Sequence, residues 1–205
     1  MNMVAALFVQ TDGCYFGLPN VDPWDESRDA RKYAGPHPVV AHPPCQRWGR
    51  IGNASFARWG GLHNMPANDG GCFACALHAV KLWGGVLEHP AHSYAWDWFE
   101  LLKPRGIGWH RSMSGYWVCE VWQSAYGHKA NKATWLLYSG HSLPPELDWS
   151  RPKGTHQVGF QDQRGKDANK PTLRPKDAAA TPPVFRDLLI SIAATASVER
   201  TGEKE

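Results

Sequence analysis

The sequence predicts an α/β domain whose sheet is covered by helices on both faces. Three observations carry this. VVA (39–41) and the Val-Leu that opens VLEHP (86–90) are short apolar runs, as expected of short strands buried on both sides. Between them lies CFACALHAVKLW (72–83), whose Phe73, Leu77, Val80 and Trp83 recur at helical spacing. Twenty glycines and 16 prolines among 205 residues punctuate the chain and keep its elements short.

The elements follow in order. VAALFVQ (4–10) reads as a buried strand that ends at the Asp12-Gly13 turn, and NVDPWD (20–25) as a short extended piece. Gly35-Pro36-His37-Pro38 breaks the chain before the core strand at 39–41, and 47–71 reads as a loop with a short helical turn. The 72–83 helix stops at Gly84-Gly85, and the 86–90 strand stops at Pro90. YAWDWFELL (94–102) reads as a second amphipathic helix closed by Pro104. GYWVCEVWQ (115–123) alternates like a half-buried strand, and TWLLYS (134–139) is another strand. Residues 1–139 thus form the core, 140–180 a basic Pro/Gly-rich loop, 181–197 a C-terminal helix opened by Thr181-Pro182, and 198–205 a frayed tail.

Composition bounds the function. With 42% apolar and 20% charged residues the chain can bury a core as one domain, and a net charge of +3 means that a basic surface must be local. Eleven tryptophans exceed the needs of one core, so some are free to stack on a ligand or base; core packing is the competing use. Five cysteines (14, 45, 72, 75, 119), no charged leader and no membrane-length apolar run lead to the expectation of a soluble cytoplasmic protein with reduced thiols.

In a sheet of this kind the chemistry sits at the carboxyl ends of strands. Two predicted strands end in reactive residues, VVA-HPPC and VLE-HP, and both halt at proline. Pro44-Cys45-Gln46 after a strand, with Glu88-His89-Pro90 ending a second strand 43 residues beyond Cys45, resembles the DNA cytosine-C5 methyltransferases, and in particular short, phage-type members. The resemblance implies a Rossmann-like methyltransferase-type mixed sheet, here minimal and without a clear target-recognition domain. It implies Cys45 as the nucleophile at cytosine C6, Glu88 as the group that activates the ring near N3, and a base extruded from the duplex. AYGHKANKATWLLYS (125–139) is similar to the family's segment that leads into a Gln-x-Arg-x-Arg motif. Ala130, Lys132 and Thr134 stand there, so Lys132 keeps a cation for the cytosine O2 or a phosphate.

S-adenosylmethionine is the methyl donor that the resemblance implies. LFVQTDGCYFGL (7–18) retains Phe8, Gly13 and Gly17 of the family's glycine loop, with Gln10 and Asp12 where glycines would stand. Asp25, 20 residues before Cys45, matches an acidic residue near the adenine. Phe8, Gly13 and Asp25 are therefore the candidate cofactor contacts. Gln46, Arg47, Trp48, Arg50 and Lys129 are the candidate contacts to DNA. His42, Arg47 and Arg50 flank Cys45 and are expected to depress its pKa. Trp48 and Trp59 either stack on the extruded base or fill gaps between helices.

No metal site is expected. Cys72-x-x-Cys75 has zinc half-site spacing, but it lies in an apolar helical pattern without a second half. Two other functional readings stay open. One is a cofactor-independent enzyme that modifies or hydrolyses bases in the same pocket. The other is a catalytically silent nucleic-acid-binding protein on a degenerate methyltransferase scaffold.

Overall fold

A computed structural model describes residues 3–158 and 170–196, without the side chains of 50–53 and 55. The predicted tail at 198–205 and the middle of the basic loop, 159–169, lie outside the described residues.

Seven strands form one mixed sheet: β1 (Val4–Leu7), β2 (Val21–Trp24), β3 (Val39–Ala41), β4 (Gly85–Pro90), β5 (His110–Arg111), β6 (Trp117–Trp122) and β7 (Ala133–Ser139). Their spatial order is β2-β1-β3-β4-β7-β6-β5. The β2-β1-β3-β4 half is parallel, whereas β7 runs antiparallel to both β4 and β6. The chain leaves β1 for β2 on one side and returns to place β3 on the other. The strand order therefore reverses between β1 and β3, which leaves a crevice at the carboxyl ends of those two strands.

Alternation along the strands divides the core into two layers. Ala5, Leu7, Val39, Ala41 and Leu87 face α2 (Cys72–Trp83) and its Phe73, Leu77 and Val80. Val4, Ala6, Val40 and Val86 face α5 (Pro183–Thr195) and its Phe185, Leu189 and Ile192. Both faces of the central strands are apolar because each supports a helix, as the short apolar runs required. Gly85 is essential where β3 meets β4: its φ is +122°, and a Cβ there would lie 1.9 Å from the Val39 carbonyl oxygen. Among the described residues no helix is long and apolar enough to cross a membrane.

The structure corrects several expected elements. The first strand ends at Leu7 rather than at residue 10, because Phe8 takes a left-handed φ of 59° and turns the chain out of the sheet. The connection to β2, residues 8–20, contains no helix. The 47–71 loop holds a ten-residue helix, α1 (Arg50–Trp59). The expected 94–102 helix is only α3 (Ala95–Trp98). There Glu100 takes φ 51°, its N–H bonds the Asp97 carbonyl, and the Leu101 N–H bonds the Trp96 carbonyl at 2.8 Å. That is a Schellman ending, with a glutamate in the place usually held by glycine. A short α4 (Pro175–Ala179) lies inside the segment expected to be loop.

Candidate active site

Strand register sets the site. Leu7 pairs with both Trp24 and Ala41, and Ala41 pairs with Leu87. The next residue on each strand is therefore Phe8, Asp25, His42 and Glu88, one row along the carboxyl edge of the parallel half. The antiparallel β7 begins at the same edge and β6 ends there, which brings in Lys132, Thr134 and Gln123.

Glu88 is buried, 7% exposed, and both its oxygens are engaged. Oε2 lies 2.9 Å from His42 Nδ1, and Oε1 accepts from Gln123 Nε2 at 3.0 Å. Gln123 Nε2 also donates to Thr134 Oγ1 at 2.9 Å. His42 Nε2 is 2.7 Å from the hydroxyl of the buried Tyr15. Burial alone would raise the Glu88 carboxyl; the hydrogen bond and charge of His42, with Lys132 and His89, reverse this and hold it at about 2. Gln123 Oε1 is buried without a partner, an unmet acceptor beside the carboxylate.

Cys45 follows β3 by four residues, and the Trp48 N–H bonds its carbonyl at 3.0 Å. The residue as a whole is exposed, yet its surroundings are dense enough to desolvate the sulfur. That burial pushes the thiol up, the Glu88 carboxylate adds to the shift, and Lys132 opposes it. The expectation that flanking cations depress Cys45 is therefore corrected. His42 is turned onto Glu88, and among the described side chains Lys132 is the cation that acts on the sulfur. Lys132 is half-buried; its carbonyl accepts from the Gln123 N–H at 2.9 Å, and its ammonium group makes no hydrogen bond or ion pair among the described residues. The resting site thus pairs a protonated thiol with an ionised carboxylate.

His89 follows Glu88 on β4 and faces the core. Its ring is fully buried, edge-on to Phe73 at 5.1 Å and stacked on Trp96 at 6.2 Å, and neither nitrogen makes a hydrogen bond. Burial holds it neutral, at about 4, although Glu88 and the nearby Pro44 carbonyl favour its proton. It packs under the Pro-Pro step that presents Cys45.

The remaining candidates divide. Trp48 is core: it is 2% exposed, donates from Nε1 to Asp69 Oδ2 at 2.8 Å and meets Phe73, Trp98 and Phe99, so its ring is not open to a base. Gln46 and Lys129 are exposed, Arg47 is half-buried, and the Arg50 side chain lies outside the described ones. Trp59 is open to solvent. Asp25 is buried and accepts from Thr11 Oγ1 at 2.8 Å and Ser27 Oγ at 2.7 Å, bonds that lower its pKa. Gly13 is used in a turn, its N–H on the Gln10 carbonyl at 2.9 Å, and a Cβ there would lie 2.7 Å from that oxygen. Cys72 and Cys75 sit on α2. Among the described residues no group of three or more His, Cys, Asp or Glu could hold a metal ion.

Gln123 and Tyr15 escaped the sequence reading because each is far along the chain from Glu88. The polar end of an otherwise alternating strand was the one signal for Gln123.

No family model matches the chain, and no curated protein or solved structure matches it.

Proposed function

We propose that this chain is a DNA cytosine-modifying enzyme that acts through covalent addition of Cys45 to C6 of an extruded base. The observation that carries the reading is the convergence of Cys45, Glu88 and Lys132 at the carboxyl edge of β3, β4 and β7, where the Glu88 carboxylate and the Lys132 cation both act on the Cys45 sulfur and Lys132 acts on Glu88. The reading includes a minimal Rossmann-like methyltransferase-type sheet, which the parallel half and its β1/β3 strand-order reversal support, and action on DNA in the cytoplasm.

The charge states suggest the first step. The thiol keeps its proton and the carboxylate has none. Glu88 takes the Cys45 proton and delivers it to N3 as sulfur bonds to C6. The C5=C6 π electrons shift toward C4 and N3, and C5 becomes enamine-like. The addition is net neutral, so no outside acid or base is needed. Lys132 stabilises the negative charge that builds on the exocyclic O2. His42, fixed by Tyr15, and Gln123 hold the carboxylate in one orientation.

S-adenosylmethionine would supply an electrophilic methyl group for C5. The donor set present fits it in part: the half-buried Phe8 suits an adenine face, whereas the Asp25 carboxylate expected near the adenine is buried and already accepts from Thr11 and Ser27. A donor-independent reaction in the same pocket is the second reading. It is favoured by Gly13, which is spent on a turn, and by Tyr15, which fills the crevice behind His42. Calorimetry separates the two: saturable S-adenosylmethionine binding supports methyl transfer, and its lack supports the second. Nucleoside mass spectrometry on DNA from expressing cells tests the function itself. A modified cytosine nucleoside is expected with the wild type and not with Cys45→Ala; its absence from both, or its persistence in the variant, refutes the proposal.

A further inference from the structure

Residues 49–67 leave the sheet directly after Cys45 and return to it at the same place. The Ala67 N–H bonds the Arg47 carbonyl at 3.0 Å, and Trp48 Nε1 bonds Asp69 at 2.8 Å, so both ends are pinned beside the nucleophile loop. The excursion carries α1, which packs mainly on the turn at Leu62–Asn64 and not on the sheet. Its large apolar side chains are open: Trp59 is 72% exposed, Leu62 79%, and Phe56 and Met65 are exposed as well. The Arg58 guanidinium lies 5.0 Å from the Trp59 ring centroid. On the other side of the Trp48 anchor, Trp98 is 68% exposed and meets Trp48 edge-on.

Apolar exposure of this kind marks an occupant, and charge says which. Residues 42–68 contain three arginines and no Asp or Glu, in a chain with 19 acidic residues. That is complementary to a polyanion. A duplex offers phosphates and base edges, but the faces of its bases are hidden in the stack. Open aromatic rings beside arginine suit bases whose faces are free.

We propose that the 49–67 excursion is a platform for single-stranded DNA, which binds the nucleotides flanking the target base by stacking on Trp59 and Phe56 and by phosphate contact to Arg58. The inference rests on the base-modifying reading and adds the strandedness of the substrate. In place of the base extruded from a duplex, the enzyme then takes a base that is already unstacked.

The test is fluorescence anisotropy with the full chain and a labelled oligodeoxynucleotide of about 12 nucleotides, within the usual span of single-strand sites. The same sequence is offered single-stranded and as a duplex. Single-stranded DNA is expected to bind at least about tenfold more tightly, and Trp59→Ala to weaken it by about 5- to 150-fold, the span of one lost base stack. Trp59 is exposed, so that variant leaves the core untouched. Arg58→Gln is expected to lower the salt dependence by about 0.7 in log–log slope, one phosphate's worth. Equal affinity for the duplex, or unchanged binding by Trp59→Ala, overturns the proposal. So does self-association through this face, by sedimentation, with no DNA binding. Cys45-dependent exchange of the C5 hydrogen of cytosine in the same oligodeoxynucleotides, single-stranded and duplex, at saturating concentration reads the chemistry separately. Exchange without single-strand preference sinks the platform alone, and single-strand binding without exchange sinks the chemistry alone.

Discussion

Replacing His89 with leucine removes an acid sensitivity that this buried imidazole imposes on the fold. Its ring is fully buried without a hydrogen bond, and burial lowers its pKa from 6.5 to about 4. Between those values the unfolded chain binds a proton that the folded chain refuses. Stability present above pH 6.5 is therefore lost as the pH falls toward 4. The shift corresponds to about 3 kcal/mol at about 1.4 kcal/mol per unit. In a domain of this size that is about 6–12 °C in melting temperature. Leucine has a similar volume and no titration. Thermal melts of wild type and His89→Leu at several pH values from 7 to 4 give the difference curve, which cancels the nine histidines common to both. The difference is expected to open as the pH drops through 6.5 and to flatten near 4. Parallel melting curves over that window would show that the imidazole titrates normally, and the packing argument would fail.

Three other outcomes follow from the same contacts. Glu88→Gln keeps the shape and removes the charge, so turnover is expected to fall by about 10²- to 10⁴-fold, the usual worth of a proton-transfer group. The Cys45 thiol should then ionise at lower pH, read by the pH dependence of iodoacetamide alkylation. The wild type should also lose more stability than the variant as the pH falls from about 4.5 through 2, where Glu88 takes a proton. Tyr15→Phe removes the hydroxyl on His42 Nε2, which is expected to cost about 1 kcal/mol in denaturant unfolding and to shift the pH–rate profile. A mere packing role for Tyr15 would leave that profile in place. Gly85→Ala puts a methyl group onto the Val39 carbonyl at a positive φ, and a loss of about 3 kcal/mol or more is expected by the same unfolding assay.

Much of this arrangement was legible in residue order, for reasons that are physical. A strand buried on both faces reads as an apolar run, so VVA gives β3 at its observed bounds; Val86-Leu87 after Gly-Gly and the stop at Pro90 give β4 within one residue. A helix with one apolar stripe and a Gly-Gly stop is equally explicit, and α2 spans Cys72–Trp83 as expected. Proline after each strand marked the carboxyl edge, which is why Cys45 and Glu88 were singled out together. The failures share a cause as well. Phe8 and Glu100 take left-handed backbone that their identities do not announce, so the first strand and the 94–102 helix were drawn too long. Trp48 looked like a stacking residue because the acceptor that buries its indole N–H, Asp69, lies 21 residues away. The Tyr15–His42–Glu88–Gln123 chain joins four separate segments through strand register, and no local pattern encodes it.

The central claim, that Cys45 adds to C6 of cytosine, is tested most directly by hydrogen exchange at C5. Addition makes C5 able to take a solvent deuteron, and reversal releases the base with the label, whether or not a methyl donor is present. Cytosine-containing oligodeoxynucleotide, single-stranded and duplex, is incubated with the enzyme in deuterium oxide and its nucleosides are weighed by mass spectrometry. Deuterium at C5 of deoxycytidine is expected with the wild type and none with Cys45→Ala. Exchange that survives in the variant, or no exchange by the wild type on either substrate, would contradict the covalent mechanism.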